Sequence, residues 1–309
     1  MNTKSMKSRK IIRGIHNFID TAILFIIIIV LTFAGYSLWD TDQVYQAADS
    51  SNYERFKPSE EDEGKSFKEL QEINPEVIAW LNVYGTKIDY PVAQGPDNMK
   101  YVNTDIEGQF SLSGAIFLDT NNSKDFKDFN SIFYGHFMEN QLMFGELGTF
   151  INKEVFERHR YGNLYFDDKD HGIEFFAFLH GDAYDRNIFT PNVKEEDVEA
   201  YLENLLVNAI HKRNINISVG DNIVLLTTCS ANSTNGRDIL VGRLTDEVFE
   251  NAFTNIETGR TRELLRIDIQ GFSEKEIIAL VATVISLLLI ITLTVRYIVR
   301  KKERGRAHE

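Results

Sequence analysis

The chain of 309 residues contains a single cysteine, Cys229, and so lacks the second thiol that an intramolecular disulfide requires. It also lacks the spaced cysteines and histidines of zinc sites, and neither a metal nor another cofactor is expected. Basic residues are outnumbered, with 33 Lys and Arg against 46 Asp and Glu and a formal net charge of −13. Nucleic acid is therefore excluded as an expected partner, because phosphate binding needs a basic surface.

Charge is missing altogether from two apolar stretches, and each is long enough to cross a bilayer. The stretch 21–38 follows five basic residues and precedes two aspartates, whereas 277–295 is followed by six basic residues. Basic flanks stay on the cytoplasmic side, so both termini are predicted inside and the intervening chain outside. A cleaved signal peptide is the alternative for the first stretch, but its aromatic end at 36–39 favours an uncleaved anchor.

These features divide the chain into six predicted parts. They are a basic cytoplasmic N-terminus (1–16), a transmembrane signal anchor (17–39), an acidic spacer (40–65), an extracytoplasmic domain (66–270), a C-terminal transmembrane helix (276–296) and a basic cytoplasmic tail (297–309). The expected location is the cell membrane, with two spans.

Strand-like runs follow one another through the extracytoplasmic domain. Apolar and β-branched residues at 77–85, 87–92, 114–119 and 131–136 are separated by turn residues. The run 194–210 instead has one apolar face at helical spacing and predicts a helix inserted between strands. We therefore expect a mainly β fold, as one closed or nearly closed barrel with helical insertions.

The lone cysteine is predicted to lie at a strand end. A buried-strand pattern ends at Cys229, a small polar loop follows, and the next strand begins at Arg237. Two neighbouring strands would then bring a thiol and a guanidinium within reach of one reacting carbonyl. A lone cysteine is more often an inert buried hydrophobe. Outside the cell, however, an unpaired thiol is unusual, which favours a nucleophile with Arg237 as its oxyanion partner.

A cysteine attacks an acyl carbon as the thiolate and needs a base or a cationic neighbour. His136 and His180 both end predicted strands and are the two candidates. His159 and His171 are predicted to be solvated loop residues, and His211 ends the inserted helix. Glycine before His136 permits a close backbone approach and favours that residue, but the pattern leaves both candidates open.

Several motifs resemble those of the sortases, the membrane-anchored cysteine transpeptidases of Gram-positive bacteria. They are Ile-Phe-Tyr-Gly-His-Phe-Met at 132–138, Leu-Thr-Thr-Cys at 226–229 and the arginine at 237, while the stretches 74–81 and 88–92 resemble the class B branch in particular. The resemblance runs in matching order over residues 66 to 245. It implies a closed eight-stranded barrel with an N-terminal helix and a helix inserted before the strand of the catalytic cysteine, flanked here by two transmembrane helices.

The resemblance also implies a reaction. Cys229 would attack a C-terminal sorting signal of LPxTG or NPxTN type in a secreted protein and form a thioacyl-enzyme. His136 would move the protons, and Arg237 would bind the substrate backbone or the oxyanion. By analogy Asn98 and Thr227 line the substrate groove, although polar groove residues are often only structural.

The second apolar stretch departs from many class B members and is more familiar from pilin-polymerising sortases. The expected acceptor amine is therefore a pilin lysine, which gives pilus assembly. The alternative acceptor is the peptidoglycan cross-bridge, which gives a wall-anchored protein. A papain-like peptidase is disfavoured because histidine precedes cysteine here, and the Ser/His-Gly-Cys motif of L,D-transpeptidases is absent. The non-enzymatic alternative is a two-span surface protein with an incidental cysteine.

Overall fold

The computed structural model describes residues 3–59, 63–229 and 235–253. The chain separates into two compact units, one holding the residues up to Thr41 and the other beginning at Asp42. The predicted C-terminal transmembrane helix and tail lie outside the described residues. So do the stretch 254–270 of the predicted extracytoplasmic domain and the loop at 230–234.

The described residues of the first unit lie in one long helix, α1 (Thr3–Ala47), whose residues from Asp42 onward belong to the second unit. It is long and apolar enough to cross a membrane, and its large apolar side chains, such as Phe18 and Leu38, are exposed. A helix satisfies all of its backbone polar groups internally, so it is one of the few structures that lipid tolerates. By length and composition α1 is consistent with membrane association.

The second unit contains nine strands within its described residues. They are β1 (Val77–Val83), β2 (Asp89–Ala93), β3 (Ile116–Leu118), β4 (Asn130–Tyr134), β5 (Tyr161–Phe166), β6 (Lys169–Asp182), β7 (Ala209–Lys212), β8 (Asn222–Cys229) and β9 (Gly236–Thr245). Its α-helices are α2 (Lys65–Ile73), α3 (Lys153–Arg158) and α4 (Val198–Asn208), and short 3-10 helices include Ser50–Phe56 and Leu147–Ile151.

Eight of these strands close into a barrel. Their order is β5-β1-β2-β3-β4-β8-β9-β6, and β6 pairs back with β5 to complete the ring, while β7 adds to β6 outside it. Pairing is parallel for β2 with β3 and for β4 with β8, and antiparallel for the other neighbours in the ring. Closure removes the free sheet edges that would otherwise recruit other chains. The predicted eight-stranded barrel is confirmed.

Strands β8 and β9 are buried on both faces. Val224, Leu226 and Leu240 pack inside the barrel, whereas the alternate residues Leu225 and Ile239 pack outside it. The outer cluster is covered by α4, through side chains that include Val198 and Leu205. The predicted inserted helix is thus present, and it lets the two strands carry unbroken apolar runs, at 223–226 in β8 and 239–241 in β9.

Part of the segment predicted as an acidic spacer packs against the barrel. Ala48 belongs to the cluster inside the barrel, and Phe56 packs with Phe67 and Leu70 of α2. The backbone oxygen of Ala48 also accepts a hydrogen bond from Tyr90 Oη at 2.9 Å. Two separated apolar residues produce no periodic pattern, so this packing could not be predicted from the sequence.

Barrel closure depends on a close approach at Gly162, where β5 pairs with both β1 and β6. A Cβ atom there would lie 2.6 Å from a β1 backbone oxygen and 3.1 Å from the ring of Phe175. We expect Gly162→Ala to lower the free energy of unfolding by about 1–3 kcal/mol, because neither neighbour can move cheaply. Urea titration of the full chain in detergent, followed by Trp80 fluorescence in a Trp39→Phe background, measures the change.

Gly220 provides the matched control, since a Cβ atom there would meet nothing within 4 Å. Gly220→Ala should leave the urea midpoint near that of the parent. An unchanged midpoint for Gly162→Ala would show that the three strands pack less closely than described.

Candidate active site

The predicted catalytic residues lie at one end of three adjacent strands. β4 and β8 run parallel, with Tyr134 beside Thr227. His136 and Cys229 each lie two residues beyond that pair, so they follow it in the same direction. Cys229 is in turn the antiparallel partner of Arg237 on β9. The register thus brings the backbones of His136, Cys229 and Arg237 to a common edge of the barrel.

Cys229 and Arg237 occupy strand positions on the outer face of the barrel. Leu226 and Leu240 point into the barrel, whereas Leu225 and Ile239 belong to the outer cluster. Successive residues of a strand alternate between faces. Cys229 therefore takes a position on the same face as Leu225, and Arg237 one on the same face as Ile239.

His136 is half-buried and held by a backbone oxygen. Its Nε2 atom lies 2.8 Å from the carbonyl oxygen of Val102, in the connection between β2 and β3. A carbonyl oxygen can only accept, so Nε2 bears a hydrogen, and Nδ1 is the nitrogen at which the ring gains or loses its second proton. The sequence predicted a strand through His136, but β4 ends at Tyr134 and leaves the histidine just beyond it.

Gly135 makes the exit from β4 possible. A Cβ atom at this position would lie 2.5 Å from Cδ1 of Ile116 and 2.7 Å from the ring of Phe144. The close backbone approach expected from the sequence is therefore present, and a larger residue would displace the segment that leads to His136.

Arg237 is half-buried, and its Nη1 donates a hydrogen bond to the Gly236 oxygen at 3.0 Å. Across β8, Tyr134 donates its hydroxyl hydrogen to Oδ2 of the buried Asp119 at 3.1 Å. Burial raises the pKa of Tyr134, the charge of Asp119 adds to this effect, and the charge of Arg237 opposes it. The guanidinium is thus within electrostatic reach of the strand that leads to His136. Sequence reasoning missed Tyr134 and Asp119, although Tyr134 belongs to the quoted motif.

Asn98 and Thr227, the two predicted groove residues, have different surroundings. Asn98 donates through Nδ2 to Asp119 at 2.9 Å and accepts from the Thr120 amide at 2.8 Å, so both ends of its amide are engaged within the fold. Thr227 is 1% exposed, and its hydroxyl finds no hydrogen-bond partner within the described part of the chain.

The rival histidine lies on the opposite face of the sheet. His180 pairs in register with Asp238, and its Nδ1 atom lies 2.6 Å from an Asp238 carboxylate oxygen. Asp238 is buried, and Phe178, two residues before His180, packs inside the barrel. Alternation therefore places His180 on the inner face, away from the position of Cys229.

Two further histidines correct the sequence prediction. His159 and His171 were expected to be solvated, yet both are buried. His159 Nδ1 lies 2.9 Å from the Tyr84 oxygen, and His171 stacks on Phe166 with ring centroids 3.8 Å apart. Burial lowers the pKa of His171. Within residues 3–59, 63–229 and 235–253, no group of three or more His, Cys, Asp or Glu is placed to hold a metal ion.

No family model matches this chain, but three similar proteins and structures are all sortases of one class. The crystal structure of sortase B from the Type II pilus of Streptococcus pneumoniae is 47% identical, with a TM-score of 0.52, over 59% of this chain and 99% of that one. A Streptococcus pyogenes class B sortase involved in pilus biogenesis is 36% identical, with a TM-score of 0.55, over 59% and 99%. Sortase B of Staphylococcus aureus is 25% identical over 236 residues, or 72% of this chain and 96% of that protein. This chain therefore belongs to the class B sortases, which are cysteine transpeptidases.

Proposed function

We propose that Cys229, His136 and Arg237 are the catalytic residues of this sortase. The supporting observation is the register that aligns them. The parallel pairing of β4 with β8 runs to Tyr134 and Thr227, two residues before His136 and Cys229, and β9 sets Arg237 opposite Cys229. Their substrate is the C-terminal sorting signal of a secreted protein, of LPxTG or NPxTN type. Asn98 supports the groove by holding the backbone at Thr120, and Thr227 offers a buried hydroxyl beside the site.

In the first half-reaction the Cys229 thiolate attacks the carbonyl carbon that follows the signal's threonine. The charge that develops on the carbonyl oxygen is met by the Arg237 guanidinium, a preorganised donor of the kind that contributes ~3 kcal/mol. The C–N bond then breaks, and protonated His136 gives its Nδ1 proton to the leaving amine. The product is a thioacyl-enzyme.

In the second half-reaction an amine displaces the thiolate. Neutral His136 accepts a proton from the incoming amine as that amine attacks the thioester carbonyl. The C–S bond breaks and the thiolate and imidazolium return, so the cycle needs no water, metal or redox partner. One peptide bond is broken and one amide bond is formed.

The proposed acceptor is a pilin lysine, and the proposed product is a pilus. The two streptococcal relatives named with a pilus are 47% and 36% identical to this chain. The sequence adds a second apolar stretch, which would hold the enzyme beside membrane-retained subunits. We also propose two membrane spans with both termini in the cytoplasm, together with the six-part division of the chain. The basic residues that flank each apolar stretch support this topology.

Replacing the nucleophile tests the proposed site. Cys229→Ala should lower cleavage of a labelled sorting peptide by roughly 10³-fold or more, because the covalent step has no substitute. Intact mass spectrometry should show an acyl adduct on the parent and none on the variant. Cleavage by the variant at a rate near that of the parent, with the fold unchanged by circular dichroism, would exclude Cys229.

The two histidines make a matched pair. His136→Ala should lower kcat by roughly 10²-fold or more, the usual range for a lost acid–base group. His180→Ala should leave activity largely in place, because His180 lies on the inner face of the sheet. Peptide cleavage by the two purified full-length variants, with circular dichroism as the folding control, gives the comparison. The reverse result would assign catalysis to His180.

Competing amines test the acceptor. The thioacyl-enzyme should transfer its acyl group to a pilin-derived peptide through lysine, and a matched peptide in which arginine replaces that lysine should receive none. A cross-bridge peptide in the same mixture serves as the rival acceptor, and product masses report the outcome. Transfer to the cross-bridge peptide alone would make the enzyme a wall-anchoring sortase.

A further inference from the structure

The loop that follows His136 is strained and is fastened at its base. Phe137 forms an antiparallel bridge with Met143, and the Phe144 amide donates to the His136 oxygen at 3.0 Å. Between these contacts Asn140, Gln141 and Met143 have φ angles of 59°, 63° and 51°. Left-handed backbone is unfavourable for residues with a side chain and persists only where the surroundings enforce it.

One buried hydroxyl provides much of that enforcement. Tyr90 Oη accepts a hydrogen bond from the Met143 amide at 3.1 Å and donates one to the Ala48 oxygen at 2.9 Å. Tyr90 and Met143 are both almost completely buried in the cluster inside the barrel, and Ala48 belongs to the same cluster. The hydroxyl therefore joins the residue just after α1 to the loop that begins at His136.

Two other elements also hold this loop. Tyr45, in the last turn of α1, donates its hydroxyl hydrogen to Oε2 of Glu139 at 3.3 Å. From the turn between β1 and β2, Lys87 donates through Nζ to the Asn140 oxygen at 2.8 Å and through its amide to Glu146 at 2.7 Å. The loop is thus held on one side by the end of α1 and on the other by a turn of the barrel.

We propose that Tyr90 is a positioning residue for His136: its hydroxyl fixes the 137–143 loop against the segment that follows α1, and so sets where the imidazole lies. The inference rests on the proposed catalytic role of His136 and adds a residue that does not touch the substrate. Loss of the hydroxyl would leave the amide of Met143 and the oxygen of Ala48 without this partner. The left-handed turn would then relax and the backbone at His136 would shift with it.

Tyr90 is suited to this part because it stays neutral. Burial raises its pKa to about 12, so the hydroxyl keeps its hydrogen and remains a hydrogen-bond donor to Ala48 at neutral pH. Charged residues that contact the loop or lie in it include Glu139, Glu146 and Lys87. Tyr90→Phe leaves all three in place, and any change at His136 is then a change in position.

The test uses the full chain in detergent, labelled with ¹³C at histidine Cε1 so that His136 is seen directly by NMR. The His136→Gln spectrum assigns its signal. In Tyr90→Phe the signal of His136 should move or broaden. The kcat for sorting-peptide cleavage should fall about tenfold, with KM within about twofold of the parent, because small misplacements of a reacting group cost rate rather than binding.

Tyr201→Phe is the matched control. The Tyr201 hydroxyl is buried, accepts from Asn130 Nδ2 at 2.7 Å and donates to the Ile188 oxygen at 2.7 Å, in the outer cluster under α4. Its removal costs a similar pair of hydrogen bonds and should lower thermal stability comparably, yet the His136 signal should stay in place. If Tyr90→Phe does not fold, Tyr45→Phe replaces it as the test variant. Tyr45→Phe should move the His136 signal in the same experiment, by a smaller amount.

The inference is overturned if the His136 signal and kcat in Tyr90→Phe match the parent, or if Tyr201→Phe shifts the signal as much. These results are separable from failure of the proposed function. An active His136→Ala enzyme would remove the catalytic role of His136, whereas the NMR comparison would still show whether Tyr90 positions that ring.

Discussion

The parallel pairing of β4 with β8 is the constraint on which the site depends. Parallel neighbouring strands end at the same edge of a sheet. His136 follows the end of β4 and Cys229 ends β8, so the two residues lie at the same edge although they are 93 positions apart in sequence. The antiparallel pairing of β8 with β9 then returns the chain so that Arg237 lies opposite Cys229. A slip of one residue in either pairing would move a proposed catalytic position to the other face.

The barrel protects this register by burying both faces of the strands that bear it. Side chains inside the barrel and those under α4 alternate along β8 and β9, so neither strand can slide without exposing apolar surface. The inserted helix, which covers the outer cluster, therefore helps to fix the register of the proposed site. Alternation also separates His180 from this site. Its neighbour Gly181 pairs with Arg237, but the His180 position is on the inner face of the sheet.

Much of the fold and the site could be predicted from the sequence because both leave local signals. Strand runs, the amphipathic helix and the short motifs around His136 and Cys229 each lie within a few consecutive residues. Contacts between distant segments leave no such signal. The packing of Ala48 and Phe56, the burial of His159 and His171, and the Tyr90 hydroxyl bridge each join segments far apart in the chain, and periodicity does not report them. The choice between His136 and His180 also needed the register, because both follow the same local pattern.

The parallel register should bring positions 136 and 229 together where β4 and β8 end. A disulfide forms only when two Cα atoms lie within about 7 Å, so His136→Cys in the full chain measures that proximity directly. Mild oxidation followed by mass mapping of the digested protein should show a bond between position 136 and Cys229, and the parallel variant His180→Cys should show none. A disulfide from position 180 instead, with none from position 136, would contradict the account.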